Sequence, residues 1–346
     1  MKSVNLNGTL VGDNHPCYII AEIGGAFSTF EEAKRLIDSS IEIGLNAVKF
    51  QTLEAETITT KNNFFNMEAT GHISQYEIFK KFQLSKELQK KVVNYANDKG
   101  ITIFSAPSHM KDLEIMKEMD LPIFKIGSDL SCHVPLLENV AKLNKPIILS
   151  TGMCTIEEIR TSVNSILNTG NDQLTILHCV SDYPSKINEI NLNVINTLKD
   201  EFQLPVGYSD HCIGSSIALA SVTMGANLIE KHFRDINNTP SSDDTHSLVK
   251  EEFLELKNTI KLIESAKGDG IKIPTESEKK NLITNRVSII SLTDIQIGDI
   301  ISANMIDIRR PGSGIKPKFF NEIIGKKVIK SIPKETPLSF DMFEKL

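Results

Sequence analysis

Cysteine is present five times, at Cys17, Cys132, Cys154, Cys179 and Cys212, but never in a C-x-x-C pair. An odd, scattered set of this kind excludes a disulfide framework and a thiolate zinc site, so reduced thiols are expected. No uninterrupted apolar run approaches the roughly 20 residues that a membrane helix needs, and the opening "MKSVNLNGTLVGDN" lacks the apolar centre of a signal peptide. A cytoplasmic protein with no membrane partner is expected. There is also no lysine-arginine cluster, and the net charge is −6. That balance argues against nucleic acid, although single lysines could still hold an isolated phosphate. The partner is expected to be a small molecule. What the chain does have is length, 346 residues, and a hydrophobic fraction of 40%. That is enough for one large domain or two unequal ones.

One pattern recurs. Helix-period stretches stop at a glycine and a short β-branched run follows: "IEIG" then "LNAVKF", "NDKG" then "ITIF", "LNTG" then "NDQLTILH", "VTMG" then "ANLIEKH". Glycine suits the left-handed residue just beyond a helix, so each marks an exit into a strand. Proline punctuates "DLPIFKI", "NKPIILS" and "QLPVGYS" similarly. The runs predict eight strands, near residues 17–22, 46–51, 101–105, 122–126, 146–150, 173–178, 204–209 and 227–232. Thr29 with Glu32, and Thr155 with Glu158, have the spacing of a capping box at two helix starts. Continuous apolar strands alternating with helices fit a parallel sheet covered on both faces, and eight such units suit a (β/α)8 TIM barrel. A doubly wound open sheet is the alternative, because strand order cannot be read from sequence.

The barrel is assigned to residues 1–268, including an N-terminal hairpin with an Asn7-Gly8 turn that would close its lower mouth. A polar linker over 269–283 then leads to a small β-rich domain over 284–346, with short runs such as "RVSIISL" and "KKVIKSI".

In such a barrel the C-terminal strand ends form the active site, so polar residues there are candidates for chemistry. They are Glu22, Lys49, Gln51, Ser105, Lys125, Ser128, Ser150, Thr151, Ser181, Tyr183, Ser209, Asp210, His211, Glu230 and His232. His211 and His232 end consecutive strands, so a closed barrel brings them near each other, either around a divalent metal or as two hydrogen-bonded imidazoles. Glu230 and Asp210 would orient them, unless strand alternation turns either away. Lys49 and Lys125 end apolar strands, where an ammonium needs an anion. A phosphate or carboxylate ligand, a salt bridge to Glu22 or Asp129, or Schiff-base chemistry would each account for them.

Nine stretches, in order "IAEIG", "AVKFQT", "YEIFKKFQLS", "FKIGS", "KPIILSTGM", "LHCVSDYPS", "VGYSDHCIG", "IEKHF" and "RRPGSGI", resemble the successive motifs of the sialic acid synthase family. The resemblance implies a (β/α)8 barrel followed by a small β-rich SAF, or antifreeze-like, domain. It implies a domain-swapped homodimer in which that domain covers the partner's active site. The implied reaction condenses phosphoenolpyruvate with an N-acetylated amino sugar, such as N-acetylmannosamine, and releases phosphate. His211 and His232 would bind Mn2+ or Mg2+. Lys49, Lys125, Ser128, Ser150, Ser181 and Ser209 would bind phosphoenolpyruvate. Glu22 and Gln51 would flank the reacting carbons, Tyr183 and Asp243 would meet the sugar, and Arg310 would reach it from the other chain. A Schiff-base aldolase and a non-catalytic sugar-binding protein remain the competing classes.

The chain departs from the family pattern at the sugar end. Gly25-Ala26-Phe27 replaces an Asn-His pair after "IAEIG", Leu130 stands where a sugar-binding glutamate is usual, Ala106-Pro107 replaces Thr-Pro, and Ser241-Ser242 replaces Gly-Pro. Ser105 or Ser108 would have to replace the hydroxyl missing at Ala106, and Asp129 the carboxylate missing at Leu130. Losing a charged acceptor favours a less hydroxylated sugar, a deoxy or diacetamido hexose of the legionaminic or pseudaminic type.

Overall fold

The N-terminal hairpin forms because Asn7 and Gly8 adopt the positive φ values, 51° and 90°, that a tight two-residue turn demands. Its strands, Val4–Leu6 and Thr9–Val11, turn Val4, Leu6 and Val11 onto the underside of a barrel. The computed structural model describes residues 2–67 and 71–344.

The barrel has eight parallel strands: Tyr18–Glu22, Ala47–Thr52, Thr102–Pro107, Phe124–Ile126, Ile147–Ser150, Leu174–Cys179, Val206–Asp210 and Leu228–His232. Each pairs with its successor, and the eighth closes on the first with His232 beside Glu22. That closure excludes the open sheet. Alternate residues face two cores. Tyr18, Ile20, Ala47, Phe104, Ile123, Ile148, Leu177 and Leu228 fill the interior with the hairpin residues beneath them. Ile19, Val48, Phe50, Ile103, Leu149, Ile176 and Ile229 face the surrounding helices. Each buried aliphatic side chain stabilises by roughly 1.5–3 kcal/mol, so the upper ends of the strands can carry polar groups above a floor that is already dry.

Local signals set the helix ends. Both expected capping boxes form, at Thr29 with Glu32 and at Thr155 with Glu158. Gly44 and Gly100 end their helices in the left-handed conformation, with φ of 77° and 79°. A hairpin of Phe64–Met67 and Gly71–Ser74, with the helix Gln75–Phe82, is inserted between the second and third strands without having been expected.

A second compact unit begins at Asp269. The polar stretch expected as a linker carries a helix, Glu276–Thr284, capped by Thr275 and Glu278. Beyond it, Ser288–Ser291 pairs antiparallel with Ile306–Arg309, and ten residues including Ile289, Ile301, Val328 and Leu338 form a separate apolar core. Among the described residues no helix is long and apolar enough to cross a membrane.

Candidate active site

The upper rim gathers charge of both signs. Glu22 and Lys49 are neighbours across the first two strands, and their side chains form an ion pair with both groups buried. Lys125 Nζ donates to Ser150 Oγ at 2.6 Å and to the Ile126 carbonyl at 3.0 Å, and lies 3.7 Å from Glu230 Oε1. Glu230 also accepts from Ser209 Oγ at 2.9 Å. Two ammonium groups and two carboxylates thus share one dry floor, so the salt bridge anticipated for Lys49 exists in the chain by itself.

The four groups do not behave alike. Burial pushes Glu22 up to about 7; Lys49 opposes this and Glu230 adds to it. Glu230 is held below the ordinary carboxylate value, because Lys125, Lys49 and the Ser209 hydroxyl outweigh its burial. Burial likewise lowers Lys125, whereas at Lys49 the two glutamates overcome burial and raise the ammonium. Two neighbouring carboxylates separated in this way form an acid-base pair in which Glu22 can exchange a proton near neutrality. Glycine is required beside them: a Cβ on Gly24 would stand 2.4 Å from Glu22 Oε1 and 2.8 Å from Gln51 Cγ.

Beyond the lysines lies a cradle of hydroxyls. Gly152 donates its N–H to Ser128 Oγ at 2.9 Å, and a Cβ on Gly152 would lie 2.3 Å from Ser181 Oγ. Ser181 Oγ is buried with no hydrogen-bond partner. Leaving such a group unpaired costs about 1–3 kcal/mol, which a ligand oxygen would offset. Leu130 packs against the core between barrel and helices and offers no acceptor, while Asp129 is exposed and its charge acts on Lys49 and Tyr183. Ser105 does not compensate for Ala106. It bonds Thr52 Oγ1 at 2.7 Å and the Phe50 carbonyl at 3.2 Å, on the outer side of its strand.

The opposite side is built of rings. His211 and His232 stand with ring centroids 5.5 Å apart, and Tyr183 lies 4.2 Å from His211. His211 Nδ1 donates to the Val180 carbonyl at 2.9 Å, which leaves Nε2 as its lone-pair nitrogen. A backbone acceptor on the far nitrogen is how metal-binding imidazoles are commonly oriented. Burial, reinforced by His246 and His211, holds His232 well below its ordinary value, so it is neutral and able to ligate. Asp243 Oδ2 lies 3.5 Å from His232 Nδ1. The donor set therefore suits a divalent cation. Glu230 faces the floor, but Asp210 does not orient the histidines: it turns outward and pairs with Lys231, both fully buried, at 3.0 Å. The loop substitution Ala26-Phe27 is absorbed by the core, where both side chains are buried.

Of the residues expected at the upper strand ends of the barrel, Ser105 and Asp210 turn to its outer layer, while Arg310 is an exposed residue of the second unit, beside the Ser288–Ser291 and Ile306–Arg309 pair. Two rim residues had not been anticipated. Cys179 lies 3.8 Å from His211 Nδ1, and its place at the end of the sixth strand was a signal that went unused. His246 is fully buried among Tyr183, His211 and His232. It comes from a loop after the eighth strand, and only its D-x-x-H spacing from Asp243 hinted at a role.

The NeuB family profile matches residues 36–272 and the SAF domain profile residues 286–344. An N,N'-diacetyllegionaminic acid synthase of Campylobacter jejuni is 37% identical over 92% of this chain and 97% of its own length. A pseudaminic acid synthase of Helicobacter pylori is 32% identical over 95% of this chain and 98% of its own. The crystal structure of an N-acetylneuraminic acid synthetase from Leptospira borgpetersenii superposes with a TM-score of 0.74 at 31% identity, covering 81% of this chain and 95% of that one. A closed eight-stranded barrel, a rim that pairs lysines with histidines, and sequence identity sustained over nearly the full length together make this chain a member of the NeuB family, carrying a C-terminal SAF domain.

Proposed function

We propose that the chain condenses phosphoenolpyruvate with an N-acetylated amino sugar to give a nonulosonic acid and inorganic phosphate. The observation that carries this reading is the division of one rim into a side of ammonium and hydroxyl groups, Lys49, Lys125, Ser128, Ser150, Ser181 and Ser209, whose chemistry suits an anion, and a side of imidazoles, His211 and His232, whose chemistry suits a cation. A divalent cation held there would supply Lewis-acid polarisation of the sugar aldehyde.

The chain's own residues do the rest. Lys49 and Lys125 hold the phosphate and carboxylate of the donor, and the hydroxyls around Gly152 orient it. Carbon 3 of phosphoenolpyruvate bonds to the aldehyde carbon, whose oxygen gains a proton. Glu22, poised near neutral pH, takes a proton from the water that adds to carbon 2. The carbon-oxygen bond to phosphate then breaks, phosphate leaves with the electron pair, and carbon 2 becomes a ketone. Tyr183 and Asp243 meet the sugar, and Arg310 of the SAF unit reaches it across a homodimer.

The names of the relatives at 37% and 32% identity, and the absence of a carboxylate at Leu130, support a deoxy, diacetamido hexose as substrate in preference to N-acetylmannosamine. The test is phosphate release from phosphoenolpyruvate, measured with each sugar and with none. Release that needs a sugar and stops on chelation supports the reading, and a higher kcat/KM for N-acetylmannosamine removes the sugar preference. Water labelled with oxygen-18 should leave its label in the acid, and label in the phosphate would contradict carbon-oxygen cleavage. The lowered ammonium of Lys125 is the one observation that favours Schiff-base chemistry instead. Trapping by borohydride with pyruvate and sugar, in the presence of a chelator, would establish that alternative.

A further inference from the structure

The expected cation site used two imidazoles, yet the ring nearest to His232 is neither His211 nor Tyr183 but His246, at 4.7 Å between centroids. His246 has no exposed surface, and neither of its ring nitrogens has a hydrogen-bond partner. A neutral imidazole carries one donor and one acceptor, so a buried ring with both unmet is aimed at something other than protein. Its backbone explains its direction. The N–H groups of His246 and Ser247 both bond to the Asp243 carbonyl, at 3.2 and 3.0 Å, making one helix-like turn. Residues three apart on such a turn share a face, so Asp243 and His246 project together towards His232. One donor atom from each of His232, Asp243 and His246 lies within 4.8 Å of the other two. The loop is itself held: Glu32 accepts from the N–H and hydroxyl of Thr239, both at 2.8 Å.

We propose that His246 is a third imidazole ligand of the divalent cation, acting with His232 and Asp243 and beside His211, and that the site therefore selects a first-row transition ion such as Co2+ over Mg2+. The proposal rests on the cation site of the preceding section and deepens it. Imidazole donors suit the borderline transition ions, whereas Mg2+ keeps oxygen ligands and water. Asp243 has two oxygens, so it can ligate through one and still face the sugar with the other.

The test uses the full-length protein, stripped with a chelator and titrated with Co2+ and with Mg2+ alone, no substrate being present. Affinity is read by calorimetry and ligand geometry by the visible absorption of Co2+. His246→Gln should weaken Co2+ binding by more than the roughly 10–100-fold that an outer-shell partner is worth, with a changed absorption band and a much smaller change for Mg2+. His232→Gln should do at least as much. If His246→Gln keeps the parental affinity and band while His232→Gln loses both, the role of His246 is overturned and the cation site stands. If the parent binds no stoichiometric Co2+, or binding is unaffected by His211→Gln and His232→Gln, the cation site itself falls and the proposal with it. X-ray absorption of the Co2+-loaded parent needs no variant: three coordinated imidazoles are expected, and two or fewer would overturn the proposal.

Discussion

Asp210 and Lys231 precede the two histidines, His211 and His232, and face the other way. They are directly opposed across the seventh and eighth strands, with no exposed side-chain surface. Lys231 Nζ donates to Asp210 Oδ2 at 3.0 Å and to the Cys212 carbonyl, while Asp210 Oδ1 accepts from the Cys212 N–H at 2.9 Å. The perturbation is to neutralise one partner. Asp210→Asn keeps the shape and the Cys212 N–H bond but leaves a buried ammonium unpaired, and Lys231→Met leaves a buried carboxylate. Each should cost about 3–5 kcal/mol, because the desolvation of the remaining ion is no longer offset by its partner. For a barrel unit of this size, at about 2 °C per kcal/mol, the midpoint should fall by roughly 6–10 °C. Asp210→Asn with Lys231→Met removes both charges and leaves mainly the Cys212 carbonyl unmet, a cost of about 1–3 kcal/mol. The double variant should therefore be more stable than either single one. With no tryptophan to follow by fluorescence, scanning calorimetry is the assay, since it can resolve the barrel from the second unit. Single variants within about 1 kcal/mol of the parent, or a double variant whose loss equals the sum, would refute the account of a mutually dependent buried pair.

Four further outcomes are expected. Glu22→Gln should lower kcat by roughly 10²–10⁴-fold, and the parental rise in rate with pH through about 7, as Glu22 loses its proton, should disappear; a variant that keeps the rise would acquit Glu22. Burial alone would raise Glu32, but bonds from Ser28 and Thr239 hold it down at about 2, against 4.5 ordinarily. A depressed acid stabilises above its unfolded value and loses that contribution as pH falls through the folded one. The parent should thus lose about 3 kcal/mol between pH 4.5 and 2 on this account, and Glu32→Gln should flatten that part of the urea-midpoint profile. Gly152→Ala puts a Cβ 2.3 Å from Ser181 Oγ and 2.9 Å from Ser128 Oγ, so kcat/KM for phosphoenolpyruvate should fall by roughly 100-fold with an unchanged melting temperature; parental kinetics would show that the cradle is not the donor site. Mixing inactive Arg310→Ala and Lys125→Met chains should restore about a quarter of parental activity if the SAF unit serves its partner, and no recovery would place Arg310 outside the exchanged site.

The strands were legible because each is a continuous apolar run, many of them introduced by glycine or proline, a signal carried by neighbours in the chain, whereas their order and closure came only from the pairing of the eighth strand with the first. The Thr29 and Thr155 helix starts and the Asn7-Gly8 turn were legible for the same reason, since each is complete within four residues. The helix at Glu276–Thr284 had its capping box in the sequence too, but its polar surroundings read as a linker. Strand alternation stated that Glu230 and Lys231 face opposite ways, and could not say which faced inward. Only barrel closure decided that Glu230 joins the floor while Lys231 meets Asp210, that Glu22 pairs with Lys49, and that Ser105 is lost to the outer layer. His246 was the least legible residue of all, because its loop has no periodicity and the rings it meets, His232, His211 and Tyr183, lie 14 or more positions away. The sequence by itself therefore determined the elements and the kinds of chemistry at their ends, since these depend on local backbone preference and on nine short motifs. The tertiary structure decided which charges meet and which rings converge, since a buried group's partner is set by closure of the sheet and the return of a loop over it.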